Sequence, residues 1–231
     1  MKIHLKAADR DVGEIYVYDQ IGVDSWGEGV GAKDFASAVK TLGDVSAINL
    51  YINSAGGSVF EAVAMQSTLE RHPAQKLVFI DGLAASAASI LAMVGDEITI
   101  AANGMMMIHN PWAFGQGEAD DFRKLAENLD KIRSSAAQAY AKRSGQNVAQ
   151  IEKWMDAETW MSGQDAVDNG FADRLSAPVE IAAMAALDVA HFRNAPDLSS
   201  GNKREDLQQN LLIARAQARA VRLRSHTTHK L

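Results

Sequence analysis

From residue 14 to residue 110 the sequence alternates short β-rich runs with stretches of helical periodicity, and that alternation limits the fold more than any other feature. EIYVYDQI (14–21), AINLYIN (47–53) and KLVFIDG (76–82) are rich in β-branched and aromatic residues and read as strands. Between the first two, KDFASAVKTLG (33–43) predicts a short helix with Asp34 as its N-cap and Gly43 as its stop. After the second, Ser58 and Glu61 form an S-x-x-E capping box. Val59, Ala62, Val63, Met65 and Leu69 then give that helix an apolar face as far as Arg71, with Pro73 beyond it. Strands that alternate with helices bury a sheet under helical layers, so the pattern predicts an α/β fold with mostly parallel strands.

The same reading continues downstream. The apolar run after Gly82 predicts a buried helix, and EITIA (97–101) and MMMIHN (105–110) predict strands about a turn at Asn103 and Gly104. A long helix is expected over 119–142, with Phe122, Leu125, Leu129, Ile132, Ala136 and Tyr140 in one stripe. NVAQIEKWM (147–155) predicts a helix capped by Asn147, SGQDAVDNG (162–170) a turn of helix, and FADRL leads out. From Pro178 onward the periodicity fades. RNAPDLSSGNKRED (193–206) reads as a linker, and Leu207, Leu211, Ala214, Ala218 and Val221 then recur at helical spacing. The expected organisation is a body over 1–190 and a linker with a basic amphipathic tail over 191–231. No internal repeat is present.

Charge divides along the same line. The last 31 residues hold seven of the 23 Lys and Arg and two of the 29 Asp and Glu, which leaves 16 against 27 for the first 200. An acidic body with a basic tail implies that the tail meets something acidic: a neighbouring subunit, a partner protein or, least favoured, nucleic acid. The chain has no cysteine, which excludes disulfides, thiolate metal sites and a cysteine nucleophile together. The opening MKIHLKAADRDVGE is polar, so no secretory leader is expected in it, and the longest apolar run, 83–94, is about half the length of a membrane span. A cytoplasmic protein without membrane insertion is the expectation.

Three stretches carry candidate chemistry. INSAGGSVFEA ends a strand in two glycines and restarts as a capped helix, leaving backbone N–H groups that an anion or oxyanion could use; an ordinary strand-to-helix turn has the same look. The phosphate-loop and dinucleotide patterns are absent. In DGLAASAASILAMVG, Ser86 falls where strand gives way to helix, the place of an N-cap or of a nucleophile, with the N–H of Ala87 beside it. Ser89, one turn deeper, fits a packing role or a bond to a backbone carbonyl. In MMMIHNPW, His109 ends an apolar strand and suits either a satisfied semi-buried imidazole or a general base. Downstream, MDAETWMSG offers Asp156 and Glu158, two surface acids or one partner for a histidine. No histidine or carboxylate spacing suits zinc, and neither metal nor cofactor is expected.

The order of these stretches resembles the proteolytic subunit of Clp proteases, the ClpP-like serine peptidases. YINSAGGSVFEAVAM, DGLAASAASILAMVGDEITIAANGMMMIHNPW and AETWMSGQDAVDNGFADRL carry the likeness, over roughly residues 10–176. Their wording is most similar to the phage and prophage branch, the head maturation (prohead) proteases. The resemblance implies a crotonase-type stack of ββα units with a helical handle at 119–142, a Ser-His-acid endopeptidase and a ring-shaped homo-oligomer, a heptamer or tetradecamer. It implies Ser86 as nucleophile, His109 as base, Glu158 as acid with Asp156 as alternative, and the N–H groups of Gly57 and Ala87 as oxyanion donors. It implies peptide substrates, capsid or scaffold proteins in the prohead branch; the alternative is a general Clp-like peptidase fed by an ATPase partner, and a second is an inactive scaffold or capsid-interaction protein. On the phage reading the place of action is the host cytoplasm or the assembling prohead. Two departures stand out: Ala55 where the family carries Pro, and Glu158 where housekeeping members carry Asp.

Overall fold

The computed structural model describes residues 11–24, 27–179, 187 and 189–196. The basic helix expected after residue 207 lies outside them. Five strands run side by side and parallel in the order β1 (Val12–Val17), β2 (Ala47–Ser54), β3 (Gln75–Ala85), β4 (Glu97–Ala101) and β7 (Arg174–Ser176). The mixed α/β class with a mostly parallel sheet, expected from the alternation, is the observed one. Along β2, Ile48, Leu50 and Ile52 are buried while Asn49 and Tyr51 are only partly so. This two-residue period puts the aliphatic set into the core. On the opposite face Tyr16 stacks on Tyr51 and Tyr51 on Phe79, with centroids 4.6 and 5.0 Å apart.

The feature that positions the site is a change of partner along β3. Leu77 through Ile80 pair with Glu97 through Ile100 of β4, whereas Leu83 through Ala85 pair with Met105 through Met107 of β5 (Met105–Ile108). The far end of the strand therefore exchanges β4 for β5 and carries a short branch of the same sheet. There β6 (Thr159–Ser162) runs antiparallel to β5. The register of β2 against β3 shifts between Ile52 and Ser54 to follow. The carboxyl ends of β2, β3 and β5 thus converge, the usual place for a site in an open α/β sheet.

Among the described residues six helices cover this frame: α1 (Ala32–Leu42), α2 (Val59–Glu70), α3 (Ala87–Ala92), α4 (Ala119–Ser144), α5 (Val148–Asp156) and α6 (Gly163–Asp168). Two caps differ from expectation. Asp34 sits inside the first turn of α1, where its charge suits the helix dipole, and Gly31 is the N-cap. The capping box at Ser58 is half formed: its Oγ accepts from Glu61 N–H at 3.4 Å, but the Glu61 carboxylate turns away to accept from Ala32 N–H. One carboxylate therefore caps α1 from α2 and ties the two helices together. Two strands, β6 and β7, leave no legible mark: the three residues of β7 are too few to show a period, and the four of β6, TWMS, lack the continuous apolar run that betrays β5 at the same length. The stripe on α4 is covered only at its C-terminal end, where Ala136 and Tyr140 are buried, while Phe122 is 49% exposed. Gly145 then ends that helix in the left-handed conformation, φ 73°, as a C-terminal glycine should.

Candidate active site

Ser86 occupies the N-cap position of α3, yet its hydroxyl caps nothing. It points instead to the imidazole of His109, with Oγ 2.7 Å from Nε2. The backbone explains this. Ser86 has φ 54° and ψ −124°, a conformation that non-glycine residues avoid at a cost of about 1–3 kcal/mol. The surroundings hold it there. Ser86 N–H donates to Met107 O at 2.9 Å, and Ala84, Ala85, Ala87 and Ala88 are fully buried around the turn. Ser89, as expected, serves the frame: its Oγ donates to Ser86 O at 2.6 Å and meets Tyr140 Oη at 2.8 Å.

The glycine turn after β2 packs directly on this elbow. A Cβ on Gly56 would lie 2.5 Å from Ala85 O and 2.8 Å from Ser86 Cβ, so only glycine allows the approach. Gly56 and Gly57 have φ 95° and 138°. Ile21 clips the turn in place: its N–H donates to Gly56 O at 2.7 Å and its carbonyl accepts from Ser58 N–H at 2.9 Å. Among the described residues, neither Gly57 N–H nor Ala87 N–H donates a hydrogen bond. The N–H of Ala87, the residue after Ser86, and that of Gly57, the residue after the glycine packed on the elbow, are thus two unpaired donors.

His109 follows β5 directly, and the pairing of Ala85 with Met107 puts it one residue past the level of Ser86, within reach of its hydroxyl. Burial pushes its pKa down to about 4; the negative charge of Glu158 opposes that shift, while His191 and Arg193 add to it. The imidazole is therefore neutral near pH 7 and able to take a proton.

The two candidate acids separate. Asp156 is exposed and accepts from Asn110 Nδ2 at 2.8 Å and from Arg133 Nη2 at 3.0 Å. Asn110 and then Arg133 hold its carboxyl below the usual range. Glu158 is 4% exposed and has φ 49°. Its Oε1 accepts from Asn194 N–H at 2.6 Å and more distantly from Trp160 Nε1 at 3.5 Å, and its Oε2 from Arg193 N–H at 3.1 Å. Burial alone would raise its pKa, but the N–H groups of Asn194 and Arg193, Trp160 and the nearby His109 outweigh burial and hold it low. Among the described residues no hydrogen bond joins Glu158 to His109, so its action on the imidazole is electrostatic in this state. Ser86 and Glu158 are the two non-glycine residues with positive φ among those described.

Some neighbours of the site left no local mark in the sequence. Arg133 on α4 donates to Asn110 Oδ1 at 3.0 Å and to Glu152 Oε1 at 3.2 Å, and so fixes the residue next to His109 to two helices. Arg193 and Asn194, which the sequence places at the head of a linker, lie against Glu158. A cavity of about 400 Å³ opens beside His109, lined by Asn110, Pro111, Trp112, Phe114, Glu158, His191, Phe192 and Arg193. No group of three or more His, Cys, Asp or Glu among the described residues could hold a metal.

A sequence model of the Clp protease family matches residues 35–178, which run from within α1 to beyond β7 and hold Gly56, Gly57, Ser86, His109, Asp156 and Glu158. The chain belongs to the Clp protease family. It is 37% identical over 128 residues to the ATP-dependent Clp protease proteolytic subunit of Ligilactobacillus salivarius (strain UCC118), covering 54% of this chain and 65% of that one. It is 30% identical over 130 residues to the ATP-dependent Clp protease proteolytic subunit of Porphyromonas gingivalis (strain ATCC BAA-308 / W83), covering 55% and 59%. The chain spans less than two thirds of the length of either relative. Among the described residues no helix is long and apolar enough to cross a membrane.

Proposed function

We propose that this Clp family chain is a serine endopeptidase that cleaves peptide bonds through an acyl-enzyme. The observation that carries the reading is the 2.7 Å contact between Ser86 Oγ and His109 Nε2, made from a backbone conformation that serves no capping purpose. Ser86 Oγ attacks the peptide carbonyl and His109 Nε2 takes the hydroxyl proton. The carbonyl oxygen, now negative, is received by the N–H groups of Gly57 and Ala87. His109 returns the proton to the leaving amine, and a water activated by the same nitrogen releases the acyl group. Glu158 is the acid that balances the imidazolium, and the low pKa of its carboxyl keeps it charged throughout. A crotonase-type acyl-CoA enzyme would share the glycine turn but has no use for the Ser86–His109 pair.

The finer reading follows the relatives. Both are proteolytic subunits of ATP-dependent Clp proteases, which favours a ring-forming peptidase that receives unfolded protein from an ATPase. The head-maturation role implied by the sequence wording finds no support among them, and capsid or scaffold substrates rest on that wording alone. The test is hydrolysis of fluorogenic peptides by the purified protein and by Ser86→Ala and His109→Ala. Activity in the wild type that both substitutions remove supports the assignment. Equal rates in all three would overturn it.

A further inference from the structure

Residues 191–194 lie beyond the stretch that matches the family, 35–178, yet they close over the acid side of the site. Phe192 is the anchor. It is 7% exposed and packs in a small cluster with Leu83, Ala85 and Met107. These residues belong to the strand that leads into Ser86 and the strand that leads into His109. The Phe192 ring meets the His109 ring edge-on, with centroids 5.3 Å apart and planes at 87°. From that anchor the next two residues turn their N–H groups onto opposite oxygens of Glu158, at 3.1 Å from Arg193 and 2.6 Å from Asn194. Asn194 Nδ2 also donates to Ala157 O at 2.8 Å, which pins the turn to the residue before Glu158.

A glutamate has one more rotatable bond than an aspartate, and holding it in one place takes more restraint. The turn supplies that restraint from beyond residues 35–178, the stretch that matches the family. On the reading of Ser86 and His109 as nucleophile and base, we propose that Phe192, Arg193 and Asn194 form a positioning clamp. The clamp fixes the Glu158 carboxylate near His109 and packs the imidazole in the orientation that receives the Ser86 proton. None of the three touches the reacting atoms; each acts through Glu158 or His109.

The test uses full-length Phe192→Ala, Phe192→Leu and Asn194→Pro, each also in a Glu158→Gln background, with thermal melts to show that the fold is kept. Leucine keeps an apolar anchor in the cluster, alanine does not, and proline removes one N–H donor. The clamp predicts that Phe192→Ala and Asn194→Pro each lower kcat about 10- to 100-fold with KM held within about twofold, the scale of a displacement of about 1 Å at a reacting group. Phe192→Leu restores kcat to within about threefold; in the Glu158→Gln background the further loss from Asn194→Pro vanishes and that from Phe192→Ala shrinks, because residues that act as one unit are not additive. An unchanged kcat in Phe192→Ala and Asn194→Pro, or losses that persist in full without the Glu158 carboxylate, would overturn the clamp. So would a rise in kcat, which would make the segment an inhibitory plug. If the wild type cleaves no peptide, the peptidase reading has failed, and the clamp is read instead from the NMR titration of His109. There Phe192→Ala raises the midpoint by exposing the ring while Phe192→Leu leaves it in place; an unmoved midpoint overturns the clamp.

Discussion

Gly56→Ala separates a strained backbone from a damaged active site, because a second glycine, Gly145, provides the control. Both have positive φ, 95° and 73°, so an alanine at either pays a backbone penalty of about 1–2 kcal/mol. Their surroundings differ. A Cβ at Gly145 meets nothing within 4 Å, whereas one at Gly56 would come within 2.5 Å of Ala85 O, 2.8 Å of Ser86 Cβ and 2.9 Å of Ala87 N. All three atoms belong to the elbow that presents Ser86, and two of them are backbone. Relief to ordinary contact requires the turn and the elbow to part by about 1 Å, and a misplacement of that size costs about 10²-fold in rate. The prediction is a matched pair. Gly145→Ala lowers Tm by about 2–8 °C, from about 2–4 °C per kcal/mol for a chain of this length, and Gly56→Ala by at least as much. Gly145→Ala keeps kcat/KM within about twofold, and Gly56→Ala loses about 10²-fold or more. The assay is fluorogenic peptide hydrolysis beside differential scanning fluorimetry. A Gly56→Ala protein with the wild-type rate would refute the claim that the glycine turn sets the geometry of Ser86.

Other outcomes follow from the same geometry. Glu158→Gln lowers kcat by up to about 10⁴-fold, as loss of the acid does in other triads, whereas Asp156→Asn lowers it less than about tenfold; the reverse order would exchange their roles. The depressed His109 pKa, about 4, places the acid limb of kcat/KM near pH 4 and leaves the rate flat from about pH 5 to neutrality; a limb near 6.5 would contradict the burial of His109. Because the unfolded imidazole binds its proton more tightly than the folded one, the stability contributed by neutral His109 is complete above about pH 6.5. It falls as pH drops toward 4, by roughly 2–3 kcal/mol, which urea melts at pH 7 and pH 4.5 in wild type and His109→Gln would reveal. Arg133→Met releases Asn110 and Asp156 together and costs about 1 kcal/mol or less in stability, since the pair is partly solvated. Its effect on kcat, about three- to tenfold, reports how far Asn110 steadies the neighbouring His109.

The fold class was legible, and so were Ser86 and His109 as candidates that the fold brings to within 2.7 Å of each other, and the reason is local. A serine at a strand-to-helix turn, a histidine that ends an apolar strand and a double glycine before a capped helix each leave a short-range mark. What stayed hidden depends on distant residues. Glu61 caps a helix 29 positions away, and only packing of α1 on α2 shows it. Arg133 looks like one more solvated charge on a long helix until α5 and the His109 loop are placed beside it. Arg193 and Asn194 meet the Glu158 carboxylate through backbone N–H groups, which every residue but proline has, so these contacts leave no mark in the residue types. The choice between Glu158 and Asp156 was likewise open in the sequence, where both are acids before a turn. Burial and positive φ at Glu158, against exposure and an arginine partner at Asp156, distinguish them.

The central claim is that Ser86 is an activated nucleophile. Its most direct test is covalent labelling of the purified full-length protein with a fluorophosphonate at pH 7.5, with the modified peptide identified by mass spectrometry. The account predicts one label per chain, on Ser86, abolished in His109→Ala and slowed in Gly56→Ala. A label on another serine, or on Ser86 at an undiminished rate without His109, would contradict it.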